Sequence, residues 1–253
     1  FSTSGTVTTS EGTLTLNGTS SFGALDTGIE GSKTVIGGST TTGTLQGNGE
    51  LAFAEGDSRL ILTGGSNTVL DAMVTGTGTL DLQKGTLLVG KGSLSSDTTL
   101  NLQEDASLII DGGETIETGN LTGSGTVDFQ GVDAAPAVLK LTGNGEGTIS
   151  FAVEGRGTLA KTGTGTQTLA MGNKALSLDV QSGRLVVDVP DGKASYDRIA
   201  VGSGTELVLT QDVKASGLLV NGRGNLVLGT TDSSSSVGHM KLDISGNAAF
   251  GEG

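Results

Sequence analysis

The chain has 253 residues, enough to bury a substantial core, and a formal net charge of −13 with its 14 basic residues scattered singly. This acidity disfavours binding to nucleic acid or to an anionic membrane, and the absence of cysteine excludes disulfide frameworks, thiolate metal sites and cysteine nucleophiles. The 45 glycines come with only 2 prolines, which is not collagen-like, and a hydrophobic content of 34% argues against disorder.

Short segments with an apolar residue at every second position follow one another along the chain. They are GTLTLNG at 12–18, GELAF at 49–53, SRLILTGG at 58–65, GTLDL at 78–82, TTLNLQ at 98–103, ASLIIDGG at 106–113, GTVDFQG at 125–131, AVLKLTG at 137–143, KALSLDV at 174–180, GRLVVDV at 183–189, TELVLTQ at 205–211 and GNLVLG at 224–229. Such alternation, bounded by Gly, Asn, Asp or Ser, predicts short strands joined by tight turns. No segment has the period of a three-turn amphipathic helix, so the sequence predicts an all-β protein.

The tripeptide Gly-x-Gly recurs at the start of several of these segments. Its copies include Gly47-Asn48-Gly49, Gly76-Thr77-Gly78, Gly123-Ser124-Gly125, Gly145-Glu146-Gly147, Gly155-Arg156-Gly157, Gly163-Thr164-Gly165, Gly202-Ser203-Gly204 and Gly222-Arg223-Gly224. A dinucleotide-binding loop needs such glycines at the junction of a strand and a helix, whereas here a strand is predicted to follow each copy. We therefore interpret each copy as a tight corner, where glycine has the least steric cost.

Repeated corners predict a repetitive architecture. Coils of roughly twenty residues, each with two or three short strands, would stack about 4.8 Å apart and form parallel sheets. At that length the chain would give about ten to twelve coils of a parallel β-helix, and we expect residues 1–253 to form one such segment. Aliphatic side chains are predicted to stack inward, with Thr, Ser, Asn and charged residues facing water.

The stretch 157–187 resembles the autotransporter-associated β-strand repeat of Gram-negative passenger domains, which has the form Leu-x-Lys-x-Gly-x-Gly-Thr-x-x-Leu, a spacer, and a Gly-x-Leu-x-Val strand. The matching residues are Leu159, Lys161, Gly163, Gly165, Thr166, Leu169, Gly183, Leu185 and Val187. The following stretch 194–209 is similar to the Tyr-Asp-x-Leu-x-Val-x-Gly segment of such passengers. The chain departs from the pattern at Gln167 and in a shortened spacer.

The resemblance implies a right-handed parallel β-helix exposed at the surface of a bacterium or released from it, anchored to the outer membrane through a translocator domain outside this sequence. Because no signal peptide precedes Phe1, we expect a segment of a larger passenger. No apolar run approaches the roughly 20 residues of a membrane-spanning helix, so we expect no membrane insertion by this segment.

We expect a non-enzymatic function in adhesion or in cell–cell self-association, as in aggregation or biofilm formation. The expected partner is another copy of the chain or a host-surface glycan or protein, with no cofactor and no nucleic acid. Two alternatives remain open, because fold alone does not settle function. One is a passive stalk that displays a functional part elsewhere in the polypeptide, and the other is an enzyme acting on polysaccharide.

Three motifs resemble catalytic elements, and each is better explained as a strand or turn. Residues 85–92 approach a phosphate-binding loop, but Gly92 replaces the hydroxyl that would hold magnesium, and TLLV is typical of a strand. Asp26-Thr27-Gly28 matches half of an aspartic-protease site, and the chain has no second copy for the required carboxylate pair, although a homodimer would supply one. Lys161-Thr162-Gly163 matches a β-lactamase element, but no Ser-x-x-Lys accompanies it.

The remaining polar candidates carry no catalytic or metal assignment. His239 is the only histidine, and the adjacent Ser233–Ser236 is more typical of a loop than of a Ser-His-Asp triad. Five acidic residues within fourteen positions lack the calcium-binding nonapeptide and are interpreted as solvated charge: Glu104, Asp105, Asp111, Glu114 and Glu117.

Two further features have ordinary explanations. Asn17 and Asn120 fit the glycosylation pattern, which carries little weight in a bacterial protein. Tyr196-Asp197-Arg198 is interpreted as a strand-edge pair. We find no convergent Lys or Arg set that would neutralise a uronate carboxylate.

Overall fold

The computed structural model describes residues 1–90, 94–189, 193–229, 242–245 and 247–250, and all of their regular structure is β-strand. The first strands are β1 (Thr6–Thr8), β2 (Thr13–Leu16), β3 (Thr19–Asp26), β4 (Lys33–Ile36), β5 (Ser39–Gln46), β6 (Glu50–Phe53), β7 (Arg59–Leu62), β8 (Thr68–Leu70), β9 (Met73–Thr75), β10 (Thr79–Val89), β11 (Thr99–Asp111), β12 (Thr115–Thr118), β13 (Asn120–Gly123) and β14 (Thr126–Gln130). They are followed by β15 (Ala137–Leu141), β16 (Gly147–Ile149), β17 (Ala152–Lys161), β18 (Thr166–Leu169), β19 (Leu176–Val180), β20 (Arg184–Val187), β21 (Lys193–Val201), β22 (Glu206–Leu209), β23 (Asp212–Val220), β24 (Asn225–Leu228), β25 (Leu242–Ile244) and β26 (Ala248–Phe250).

The chain divides into two compact units. Unit 1 comprises Phe1–Ile110 and Ile116–Val127, and unit 2 comprises Asp111–Thr115 and Asp128–Gly253. In unit 1, β2 pairs in parallel with β4 and β4 with β6. In unit 2, β18 pairs in parallel with β20, β20 with β22 and β22 with β24.

Each strand therefore pairs with its counterpart one turn later along the chain, which is the arrangement of a parallel β-solenoid. The chain makes about 11 turns. Facing residues such as Ser20 and Thr40 lie 20 residues apart in the sequence. The all-β solenoid and its number of coils are confirmed.

Aliphatic side chains fill the interior of each unit as ladders. In unit 1, register partners in successive turns are Leu60, Leu80, Leu100 and Leu121, and each is 0% exposed. In unit 2, the corresponding ladder consists of Leu139, Leu159, Leu178, Ile199 and Leu218, all buried. Fully burying one such side chain contributes about 1.5–3 kcal/mol, so these ladders are a main source of stability.

The interior of unit 1 also contains hydroxyl side chains, so the prediction that Thr and Ser would face water is wrong for part of the chain. Ser20 and Thr40 are buried, and their hydroxyl oxygens lie 2.9 Å apart. Thr9 and Thr34 form a second buried pair, with hydroxyl oxygens 2.7 Å apart. Because each hydroxyl meets another on a neighbouring turn, its burial leaves no unpaired polar group.

Most copies of Gly-x-Gly stand at the start of a strand, as predicted, but Gly155-Arg156-Gly157 lies inside β17. Gly155 turns the chain with a φ of 70°, which other residues rarely adopt. A Cβ atom on Gly157 would lie 2.2 Å from Cδ1 of the buried Phe129, on the preceding turn. The first glycine thus bends the strand, and the second leaves room for an aromatic ring.

The substitution Gly157→Ala is expected to lower the free energy of unfolding by about 1–3 kcal/mol, because the added methyl group overlaps the ring of Phe129. Urea unfolding measures this loss. Gly145→Ala is the matched control: nothing lies within 4 Å of a Cβ atom there, so we expect a change below about 0.5 kcal/mol. The cost of Gly157→Ala should also shrink in a Phe129→Leu background, and equal stability of the two single variants would contradict the steric explanation.

Candidate functional site

A depression of about 290 Å³ on the surface of unit 2 brings together two arginines and two aspartates. We call it the Arg156 depression. Its polar lining consists of Asp133, Arg156, Thr158, Ser177, Asp197 and Arg198. Val132, Pro136, Gly157 and Ala175 complete the lining. The polar residues come from successive turns of the solenoid, so the stacking of turns creates the site.

Arg156 lies between two glycines and makes two ion pairs in this depression. Nη1 lies 2.6 Å from Oδ1 of Asp133, and Nη2 lies 3.7 Å from Oδ2 of Asp197. The side chains of Arg156 and Asp133 are 50% and 82% exposed. Ion pairs this exposed contribute only about 0–1 kcal/mol, so Arg156 can exchange one carboxylate for another at little cost.

Thr158, Ser177 and Arg198 lie side by side on β17, β19 and β21. Thr158 is the register partner of Ser177, and Arg198 precedes Ile199, which pairs with Leu178. On the next strand Arg198 faces Gly217, which has no side chain to cover the guanidinium group. Arg198 is exposed and makes no side-chain hydrogen bond or ion pair with any residue in the ranges given above.

This row presents hydrogen-bonding groups at the spacing of neighbouring strands, about 4.8 Å. Each guanidinium group has five N–H donors in a planar fork, and each hydroxyl group both donates and accepts. The arrangement can therefore hold a polar ligand by several contacts at once. Asp133 and Asp197 approach the same guanidinium group, so both carboxylates are already engaged at one edge of the depression.

Asp26-Thr27-Gly28 forms a corner at the end of β3. Oδ1 of Asp26 accepts a hydrogen bond from the backbone N–H of Gly28 at 2.8 Å, and Oδ2 accepts one from Nε2 of Gln46 at 2.9 Å. The hydroxyl group of Thr27 donates to the carbonyl oxygen of Gln46 at 3.2 Å. These contacts are those of a carboxylate that caps a turn, in line with the turn interpretation.

The other motifs fall partly outside the described residues. Residues 85–89 belong to β10, so TLLV is a strand as predicted, while residues 91 and 92 are not described. In Lys161-Thr162-Gly163, the Nζ atom of Lys161 donates to the carbonyl oxygen of Gly163. His239 and Ser233–Ser236 also lie outside the described residues.

The clustered acidic residues at 104–117 are all exposed. Among the residues whose positions the structure gives, no group of three or more acidic or histidine side chains is arranged to hold a metal ion. Asn17 follows β2 in an exposed turn, and Asn120 begins β13. These placements add no further candidate site.

Sequence patterns did not identify the Arg156 depression: they showed no Lys or Arg set that would neutralise a uronate carboxylate, and they did not indicate that Arg156 and Arg198 line one depression. Tyr196 points into the core, whereas Asp197 and Arg198 line the depression with Arg156. A signal was present in the spacing, because Thr158, Ser177 and Arg198 follow one another at about the length of one turn. Residues one turn apart share a face of a solenoid, so this period indicates the row once the coil length is known.

A second polar cluster, in unit 1, surrounds the carboxylate of Asp81. Asp81 is 0% exposed although it alternates with inward-facing leucines, because side chains of the neighbouring turns cover it. Its carboxylate accepts hydrogen bonds from Arg59, from Nδ2 of Asn101 at 2.9 Å and from Nε2 of Gln103 at 3.2 Å. The cluster ties three successive turns together, which indicates a structural role.

Replacing Asp81 with Ala is expected to lower the free energy of unfolding by about 2–3 kcal/mol, because three donors lose a charged acceptor. Asp57→Ala removes an exposed carboxylate from a turn and should change stability by less than about 0.5 kcal/mol. Chemical denaturation followed by circular dichroism compares the two variants. A loss no larger for Asp81→Ala than for Asp57→Ala would rule out the structural role.

Lys161 and Tyr196 are ionisable side chains that are buried in unit 2. Lys161 is 1% exposed, and burial lowers its pKa below the ordinary value of 10.5. Tyr196 is also buried; its hydroxyl group donates to the carbonyl oxygen of Met171 at 2.8 Å, and burial raises its pKa above the ordinary value of 10.0. In both cases burial shifts the protonation equilibrium toward the neutral form, relative to the unfolded chain.

The buried Lys161 should make stability increase with pH below the titration of tyrosine. Between the lowered pKa of folded Lys161 and 10.5 the unfolded chain binds more protons, so the free energy of unfolding rises with pH. We expect Lys161→Met to flatten this rise on the alkaline side of neutrality, below the ordinary tyrosine pKa of 10.0, above which Tyr196 acts in the opposite direction. Exposed Lys174→Met is the control, and an unchanged pH profile in Lys161→Met would contradict the assignment.

No protein family, curated protein or solved structure matches the chain. Within the described part of the chain, the structure has no helix long and apolar enough to cross a membrane. Function is therefore inferred from the solenoid and from the side chains on its surface.

Proposed function

We propose that the chain is a non-enzymatic bacterial surface protein that acts in adhesion or in cell–cell self-association, in the manner of an autotransporter passenger. The observation that carries this proposal is the alignment of polar side chains in rows across successive turns. A binding surface built in this way needs no deep pocket, because many weak contacts act together.

Rows of this kind occur on the surface of both units. In unit 1, Nζ of Lys33 lies 2.9 Å from Oε1 of Glu50. The same oxygen accepts a hydrogen bond from the hydroxyl group of Thr75 at 2.7 Å. The hydrogen bond from Thr75, followed by that from Lys33, lowers the pKa of Glu50 and favours its charged form. In unit 2, Nε of Arg184 lies 2.5 Å from Oε1 of Glu206. Oε2 of Glu206 accepts a hydrogen bond from Nδ2 of Asn225 at 3.0 Å.

The repeat-like stretch 157–187 supports the comparison with passenger domains in its local structure. It begins within β17, where Leu159 and Lys161 are buried, and the Gly-x-Gly copy at 163–165 forms the corner before β18. The repeat-like stretch thus runs from β17 to the end of β20 and includes the corners between these four strands.

Self-association is expected to strengthen as salt rises, because a net charge of −13 makes copies repel one another until ions screen the charge. Sedimentation of the purified chain over a concentration series, at about 0.05 M and about 0.5 M salt, measures this. A strictly monomeric chain at both salt concentrations would reject self-association and leave adhesion to other molecules.

A display experiment tests the adhesive function directly. Cells of a non-aggregating bacterium that carry the chain on their surface should aggregate or bind immobilised glycans, in contrast to cells with the display vehicle alone. Absence of both activities would favour a passive stalk. Depolymerisation of a polysaccharide by the purified chain would favour an enzyme instead.

A further inference from the structure

We infer that the Arg156 depression binds a saccharide through a carboxylate group on the sugar. This inference rests on the proposed adhesive function and names the class of ligand that the surface recognises. It depends on three features: an arginine without a side-chain partner among the described residues, a second arginine with a replaceable partner, and a row of hydroxyl groups near an apolar wall.

Arg198 provides the primary contact for the carboxylate. Its guanidinium group is exposed and makes no side-chain hydrogen bond or ion pair within the described ranges, and the facing residue Gly217 leaves it uncovered. A planar guanidinium group matches a carboxylate with two parallel hydrogen bonds, which an ammonium group cannot form. The guanidinium group of Arg198 therefore offers two N–H donors whose spacing is complementary to the two oxygens of a carboxylate.

Arg156 provides a second contact at the other side of the depression. Its partner Asp133 is 82% exposed, and so open an ion pair is readily replaced by a ligand group. Oδ2 of Asp197 lies 3.7 Å from Nη2 of Arg156 and is a second partner that the ligand does not need to displace. A ligand hydroxyl or carboxylate oxygen can take the position of Asp133 without leaving a buried charge unpaired.

The rest of the lining suits a sugar ring. Thr158 and Ser177 place two hydroxyl groups on neighbouring strands next to Arg198, where they can exchange hydrogen bonds with ring hydroxyls. Val132 and Pro136 give the depression an apolar wall against which the C–H face of a ring can pack. A volume of about 290 Å³ lies at the small end for ligand sites, which suits one or two sugar units.

The two aspartates of the depression favour an anion with one negative charge over an anion with two. A carboxylate brings one negative charge beside Asp133 and Asp197, whereas a phosphate monoester brings close to two and meets stronger repulsion from both. The overall charge of −13 further disfavours polyanions such as nucleic acid. A sugar with a single carboxylate per residue is therefore the preferred ligand.

Calorimetric titration of the whole chain tests the inference. The probes are a galacturonic acid trisaccharide and sialyllactose, each as the free acid and as the methyl ester. At least one free acid should bind, and its ester should bind at least about 10-fold more weakly, because esterification removes the charged acceptor. Absence of binding by both acids, or equal binding of acid and ester, overturns the inference.

Matched variants locate the binding to this depression. Arg198→Gln should weaken acid binding about 10-fold or more, and Arg198→Lys should recover only part of it, since the charge returns without the planar fork. Arg223→Gln removes an exposed arginine that also lies between two glycines, and it should bind like the original chain. Thermal unfolding confirms that the variants are folded, and wild-type affinity in Arg198→Gln contradicts the site.

Failure of this inference can be told apart from failure of the proposed function. If displayed cells aggregate while the purified chain binds no acidic saccharide, the inference is wrong and the adhesive function stands. The opposite result is that the purified chain binds the acidic saccharides, the Arg198→Gln variant does not, and displayed cells neither aggregate nor adhere. In that case the binding site is supported and the adhesive function is wrong.

Discussion

The structure depends on one constraint, the register between successive turns of about twenty residues. Parallel backbone hydrogen bonding places each side chain directly beside its counterpart on the next turn, as with Leu80 between Leu60 and Leu100. Every position must therefore be compatible with the same position on both neighbouring turns. Leucines meet leucines in the core, and buried hydroxyl groups such as those of Ser20 and Thr40 meet each other. An isolated polar residue in such a ladder would lose its partner and destabilise two turns at once.

The same register builds the surface features. Asp81 alternates with the inward-facing leucines of β10. It is nevertheless buried, because the side chains of Arg59, Asn101 and Gln103 reach it from adjacent turns. In unit 2, stacking brings Arg156 and Arg198 into one depression although they are separated by about two turns of sequence. The Asp81 cluster is closed, with its carboxylate hydrogen-bonded from three side chains. The Arg156 depression is open, and Arg198 has no side-chain partner among the described residues. That difference separates a structural cluster from a binding surface.

Glycine corners make this stacking possible and also determine where functional side chains stand. Gly157 has to be glycine because the ring of Phe129 occupies the space of a side chain, and its neighbour Arg156 is thereby placed outside the core. The charge distribution adds a second bias, since most of the 14 basic residues belong to unit 2 in a strongly acidic chain. A positive group that keeps free donors on such a background is a natural place for an anionic ligand.

The sequence by itself determined the all-β class, the positions of most strands, the glycine corners and the approximate length of a turn, because alternation and turn chemistry are local properties. It did not determine that Ser20 and Thr40 lie inside, since β-branched and small polar residues fit either face of a strand when a partner is available. Nor did it determine the depression around Arg156 and Arg198. Turn lengths vary by a few residues, so the facing partner of each side chain follows only from the registered stacking of turns, and tertiary structure alone decided which polar groups converge.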